Sequence, residues 1–170
     1  TALGMRVVAW TFHPSPDRAA ELGVRFVELD ELLREADVLS LNVRLSDDTR
    51  GMIGERELAL MKPTSFIINC ARGPLIDEDA LYQALTSGGI AGAGLDVMVD
   101  AEPPPDTPLL KLDNLLVTPH VAFFSQEATL ELEQRAAREV AYVLTGRMPD
   151  NLVNPAVLEH ANPRHSLRKD

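Results

Sequence analysis

The run Phe66-Ile67-Ile68-Asn69-Cys70 constrains the fold more than any other stretch of the chain. It is too short for a buried helix and almost continuously apolar, which predicts a strand covered on both faces, as in the middle of a parallel sheet. A parallel sheet needs a crossover helix between strands, and the chain supplies them in alternation. Strands are predicted at Met5–Trp10, Arg25–Val27, Val38–Val43, the glycine-spaced Ala91–Val97 and Leu115–Val117. Helices are predicted at Asp17–Leu22, stopped by Gly23, at Leu29–Glu35, and at Gly54–Met61, stopped by Pro63. Asp77 caps another that runs to about Ser87, with Glu78 and Asp79 at its positive end. Ser125 opens a long helix closed by Gly146, in which Leu132, Ala136, Val140, Val143 and Leu144 form one stripe; such a stripe predicts packing against a core or another helix. Thr1–Leu3 reads as the last turn of a helix. Strands alternating with helices define an α/β chain with a parallel sheet.

With 170 residues, 45% apolar and 25% charged, the chain reads as one globular domain, or one domain with a tail. Its net charge of −10 argues against nucleic acid, which needs clustered Lys and Arg, and against an anionic membrane surface. No apolar run approaches the ~18 residues of a membrane span. The lone Cys70 reads as a buried, reduced thiol in a cytoplasmic protein. Four scattered histidines have no metal-ligand spacing, so no metal is assigned. The proline-rich stretch Ala101–Pro108 is a stiff loop, and the patternless tail Asn162–Asp170 is expected to be disordered. The chain lacks an initiator Met and begins inside a recognisable pattern, which reads as an N-terminally truncated piece.

Three residues near the ends of apolar runs carry the chemistry. Arg72 can grip a carboxylate through a planar two-donor fork. His120 can move a proton near neutral pH. Glu102, if it stands behind the histidine, fixes its tautomer and favours its charged form. Together they suit redox chemistry on a 2-keto or 2-hydroxy acid. No G-x-G-x-x-G occurs in the chain.

The segments Met61-Lys62-Pro63, Ile68-Asn69-Cys70-Ala71-Arg72-Gly73-Pro74-Leu75-Ile76-Asp77-Glu78, Gly94-Leu95-Asp96-Val97, Glu102-Pro103, Asn114-Leu115-Leu116-Val117-Thr118-Pro119-His120 and Asn151-Leu152-Val153-Asn154-Pro155 resemble the D-isomer-specific 2-hydroxyacid dehydrogenases. The stretch from Thr118 to Ser125, with Thr145–Asp150, resembles the branch holding the C-terminal-binding corepressors; phosphoglycerate dehydrogenases share the general pattern.

This resemblance implies a doubly wound, Rossmann-like parallel sheet lacking its first strand and glycine-rich turn. An incomplete dinucleotide-binding domain is expected over 1–148 and a C-terminal segment over 149–170. In the strand order 3-2-1-4-5-6 the first strand is central, so its absence predicts two unpaired strand edges beside an open apolar groove. The implied activity is hydride transfer between NAD and a small 2-keto or 2-hydroxy acid, in a full-length homodimer. Arg72 matches the carboxylate binder, His120 the acid/base and Glu102 its partner. Asp100 is the rival for that last role, and a third reading has no carboxylate there.

Cofactor contacts are implied for Thr11, Val43, Arg44, Thr49, Cys70, Ala71, Arg72, Asp96 and His120. Thr11 stands where an acid usually meets the adenosine ribose, which leaves NADP open. Phe123 lines the substrate pocket or packs in the core. Two rival functions stay open: a dinucleotide-sensing interaction protein like the corepressors, and an inactive remnant.

Overall fold

Helix starts are set by their caps. In the computed structural model, which describes residues 4–160, Ser15 Oγ accepts the Arg18 N–H at the start of α1 (Pro16–Leu22), and Gly23 ends that helix in the left-handed conformation, with φ 64°. Asp77 Oδ1 accepts the Asp79 and Ala80 N–H groups at 3.0 and 3.1 Å and opens α4 (Glu78–Thr86). Between them lie α2 (Leu29–Glu35) and α3 (Glu55–Leu60). The strands are β1 (Val8–Ala9), β2 (Arg25–Phe26), β3 (Val38–Leu41), β4 (Phe66–Asn69), β5 (Gly92–Leu95) and β6 (Leu115–Val117). Every pairing is parallel, in two sheets of order β1-β2 and β3-β4-β5-β6.

The core lies on one side of the larger sheet. Leu39, Leu41, Ile67, Ala93 and Leu95 are buried with Leu32 and Leu33 of α2, Leu58 of α3, and Leu81 and Leu85 of α4. The opposite face is open: Val38 and Phe66 are each 46% exposed and Leu116 70%. The expectation that β4 is covered on both faces is therefore corrected. Strands β3 to β6 follow one another in a single direction, and right-handed crossovers then place all their connecting helices on one side. Cys70 is corrected with it. The thiol is free and exposed, because it follows the last residue of β4 at the carboxyl edge of the sheet.

Strands β1 and β3 are not hydrogen-bonded to each other. The space between them is a groove of about 620 Å³, lined by residues 5–11, residues 35–43, Leu29, Leu32, Met52 and Ile53. Strand β1 is shorter than the predicted Met5–Trp10 run.

The chain divides into two compact units at Ala122/Phe123. The second unit contains α5 (Gln126–Leu144), and within that unit Leu132, Val140, Val143 and Leu144 are exposed. The second unit has its own local ties: Arg147 lies 4.3 Å over the Tyr142 ring, and Asn151 Nδ2 donates to Glu139 Oε1 at 2.8 Å. Thr1–Leu3 and Asn162–Asp170 lie outside the described residues.

Candidate active site

The carboxyl edge of a parallel sheet is where open α/β folds bind ligands. Thr11 follows β1, Val43 and Arg44 follow β3, Cys70–Arg72 follow β4, Asp96 follows β5 and His120 follows β6. All of them share this edge in the first unit.

Asn69 shapes the arginine loop. Its buried side chain accepts the Ala71 N–H at 3.0 Å and donates to the Arg72 carbonyl at 2.9 Å, clamping the turn at both ends. Arg72 Nη1 donates to the Ala71 carbonyl at 2.6 Å, and the guanidinium remains exposed to the edge. Gly73 lets the neighbouring loop approach, since a Cβ there would lie 2.0 Å from the Met98 carbonyl oxygen. That second loop is tied in turn by Val99 N–H donating to Glu78 Oε1 at 2.6 Å.

Asp96 organises the histidine. Its buried carboxylate accepts the Thr118 hydroxyl, the Val121 N–H at 2.9 Å and the Ala122 N–H at 3.0 Å. Its backbone N–H donates to the Asn69 carbonyl, and its own carbonyl accepts the His120 N–H, each at 2.9 Å. A relay of hydrogen bonds thus runs from the end of β4 through Asp96 to His120. His120 is the one described non-glycine residue with positive φ, 55°, a conformation that histidine tolerates better than most residues. Asp96 was assigned from sequence to the cofactor; the structure adds that its carboxylate braces the histidine turn. Asn69, inside the predicted strand, carried no role at all. Its only sequence signal is an amide in an otherwise apolar run.

The Thr118 hydroxyl, the Ala122 and Val121 N–H groups and the nearby His120 charge hold the Asp96 carboxyl below its ordinary range, against the opposing effect of burial. A carboxyl depressed in the folded state contributes stability above its unfolded pKa, and that contribution is lost as pH falls through its folded pKa. Asp96→Asn places an amide donor against the Ala122 or Val121 N–H. The variant is expected to unfold at lower urea than the parent at neutral pH, with the gap closing as the solution is acidified below the ordinary carboxylate range. A gap independent of pH would show that the carboxylate charge is not what braces the turn.

Asp100 Oδ1 accepts the Glu102 N–H at 3.0 Å and so serves the local turn. The Glu102 carboxylate has no partner among the described residues, and neither acid is ion-paired with His120. Thr49, read from the sequence as part of the loop lying against the cofactor, braces that loop from within. It is buried, and its hydroxyl donates to the Arg44 carbonyl and accepts the Ser46 N–H, each at 2.8 Å, holding the Val43–Arg44 loop. Thr11 lies in a recess of about 360 Å³ with Trp10, Phe12, Pro14, Phe26, Val27 and Glu28. Phe123 belongs to the second unit, where its ring meets Phe124 edge-on at 6.2 Å.

An arginine turn, a buried aspartate and a histidine turn thus stand together at the carboxyl edge of a parallel sheet, where open α/β folds bind ligands. Residues 1–122 match the family described as D-isomer specific 2-hydroxyacid dehydrogenase, NAD binding domain, and the chain belongs to that family. It is 42% identical over 160 residues to a glyoxylate reductase of Korarchaeum cryptofilum, covering 94% of this chain and 48% of the relative. A D-3-phosphoglycerate dehydrogenase of Methanocaldococcus jannaschii is 42% identical over 154 residues, which cover 90% of this chain and 29% of the relative. Among solved structures, D-lactate dehydrogenase with NAD+ from Lactobacillus jensenii superposes with a TM-score of 0.81 at 30% identity, over 90% of this chain and 49% of that one. The chain spans about half the length of the glyoxylate reductases it matches.

Proposed function

We propose that this chain is the nucleotide-binding and proton-transfer part of an NAD-dependent dehydrogenase that interconverts 2-keto and D-2-hydroxy acids. The observation that carries the reading is the hydrogen-bond relay Asn69–Asp96–His120, which ties the arginine turn to the histidine turn at one sheet edge. Arg72 holds the substrate carboxylate. His120 gives a proton to the carbonyl oxygen in reduction and takes it back in oxidation. Glu102 is the carboxylate that backs His120, since Asp100 is already engaged in the loop. Phe123 is assigned to the substrate pocket, where a ring favours an apolar side chain on the keto acid.

NAD, when bound, supplies or receives the hydride. The recess beside Thr11 falls in the about 300–1,000 Å³ range of small-ligand clefts and sits where the adenosine end belongs. Glu28 brings to that recess a carboxylate that Thr11 lacks, which disfavours the 2′-phosphate of NADP. Cys70, Ala71, Asp96 and the Val43–Arg44 loop complete the cofactor edge. The full-length protein is read as a cytoplasmic homodimer, a reading that the family resemblance supports; no described helix is long and apolar enough to cross a membrane.

Calorimetry of NADH and NADPH tests the cofactor assignment on this chain and on a form extended upstream through a glycine-rich turn. The extended form is expected to bind NADH more tightly than NADPH, and the 170-residue chain to bind neither well, since a helix N-terminus that anchors pyrophosphate is supplied by that turn. Tight NADH binding by the shorter chain would show that cofactor binding does not require a glycine-rich turn.

A further inference from the structure

We propose that Glu78 is a positioning residue for the reaction: its carboxylate pins the loop of residues 99–102 to the arginine turn and so sets where the Glu102 carboxylate stands. This rests on the reading of Glu102 as the acid behind His120, and the test below separates the two.

The loop that follows β5 has few ways to be held. Pro103, Pro104 and Pro105 have no N–H to donate. Val99 is 56% exposed and Glu102 is exposed as well, so packing fixes neither. Asp100 Oδ1 accepts the Glu102 N–H, and the Pro104 carbonyl accepts the Thr107 N–H at 2.9 Å; both bonds are local. Among the described residues, one hydrogen bond ties residues 98–106 to the rest of the unit. It runs from Val99 N–H to Glu78 Oε1 at 2.6 Å, across 21 positions of chain.

The helix that Glu78 opens does not need this carboxylate. Asp77 Oδ1 already accepts the Asp79 and Ala80 N–H groups, so α4 is capped without it. Glu78 gives its charge instead to a distant amide, and a charged acceptor makes the stronger kind of hydrogen bond. Its own anchorage is firm. The Pro74 and Leu75 carbonyls accept the Gly51 and Ile53 N–H groups at 2.8 and 3.1 Å, and Asp77 N–H donates to the Ile53 carbonyl at 2.9 Å. Asn69 holds the other end of the segment at the Arg72 carbonyl. Arg72 and Glu78 therefore stand at the two ends of one braced segment, and Gly73 between them lets Met98 and Val99 lie against it. With Val99 pinned, Glu102 follows after a turn closed by Asp100. The arginine that grips the substrate and the acid that backs the histidine are thus placed from a common support.

Glu78→Ala, Glu78→Gln, Glu102→Gln and the double variant Glu78→Ala/Glu102→Gln are made in the full-length protein. Reduction of glyoxylate by NADH is the probe reaction, and amide hydrogen exchange at Val99 is a readout that needs no turnover. Glu78→Ala is expected to speed Val99 exchange by roughly tenfold or more, as the amide loses its partner. It should lower kcat by up to about 10²-fold, the effect of misplacing a group by about 1 Å, with KM for glyoxylate changing far less. Glu78→Gln keeps an acceptor oxygen and should restore both towards the parent. In the Glu102→Gln background, Glu78→Ala should lower kcat no further, because residues that act as one unit are not additive. A full additional loss there would mean that Glu78 acts on the fold at large and would overturn the proposal. So would unchanged Val99 exchange, or a parental kcat in Glu78→Ala beside a lowered one in Glu102→Gln. A parental kcat in Glu102→Gln would instead overturn the reading of Glu102 itself.

Discussion

His120→Asn in the full-length protein is expected to lower kcat for 2-keto acid reduction by about 10²–10⁴-fold, the usual contribution of a positioned acid/base. Asparagine suits this test because it also tolerates positive φ, and His120 sits at φ 55°. Its amide keeps a polar group at the turn but cannot carry the proton at neutral pH. The Asp96 contacts to Thr118, Val121 and Ala122 do not involve the His120 side chain, so the turn keeps its shape. KM for the keto acid should change far less than kcat. Retention of kcat within a few fold would remove His120 from the mechanism. Alanine is a poorer probe, because its loss of activity would mix missing chemistry with backbone strain.

Gly73→Ala is expected to be the most destabilising single methyl group that can be added to this edge. The new Cβ would lie 2.0 Å from the Met98 carbonyl oxygen and 2.6 Å from the Val99 nitrogen. Both obstacles are backbone, so no side-chain rotation relieves the clash. Overpacked core positions typically cost about 1–3 kcal/mol; here two loops must separate, and the loss should reach or exceed the upper end. A fall of that size lowers the melting temperature of a chain this long by roughly 6–12 °C. The hydrogen bond from Val99 N–H to Glu78 should open as the loops part, taking the Arg72 turn out of register. A melting temperature unchanged within a degree would mean that the two loops are not in contact in solution.

Much of this was legible in the sequence because local signals and tertiary demands agree. Gly23, Asp77 and Ser125 mark helix ends by backbone chemistry that needs no partner, and all three act as predicted. Glycine- and proline-bounded apolar runs located the strands, and the alternation of strands with helices predicted the parallel sheet. What misled was apolarity without a visible neighbour. The β4 run predicted burial on both faces, but burial is decided by what lies opposite, and within the first unit the crossovers of β3 to β6 cover one face of β4. The site shows the same division. Arg72 and His120 stand in motifs, whereas the bracing by Asn69 and Asp96 depends on residues far apart in the chain meeting at one edge. Thr49 was legible as part of the loop at that edge, and the geometry adds the hydrogen bonds by which its hydroxyl holds that loop.

Strand order has a consequence for how the parts of this molecule depend on one another. In the sheet β3-β4-β5-β6 spatial order equals chain order, so each strand finds its neighbour by the shortest search the chain allows. The pair β1-β2 has two residue partners and no further neighbour. The proton-transferring edge therefore belongs to a block that assembles from its own consecutive pieces, whereas the edge proposed to recognise the adenosine belongs to a pair anchored only from outside. That pair is held by Val8, Trp10 and Val27 packed against the shared core, so the adenosine end can loosen before the proton-transferring edge does.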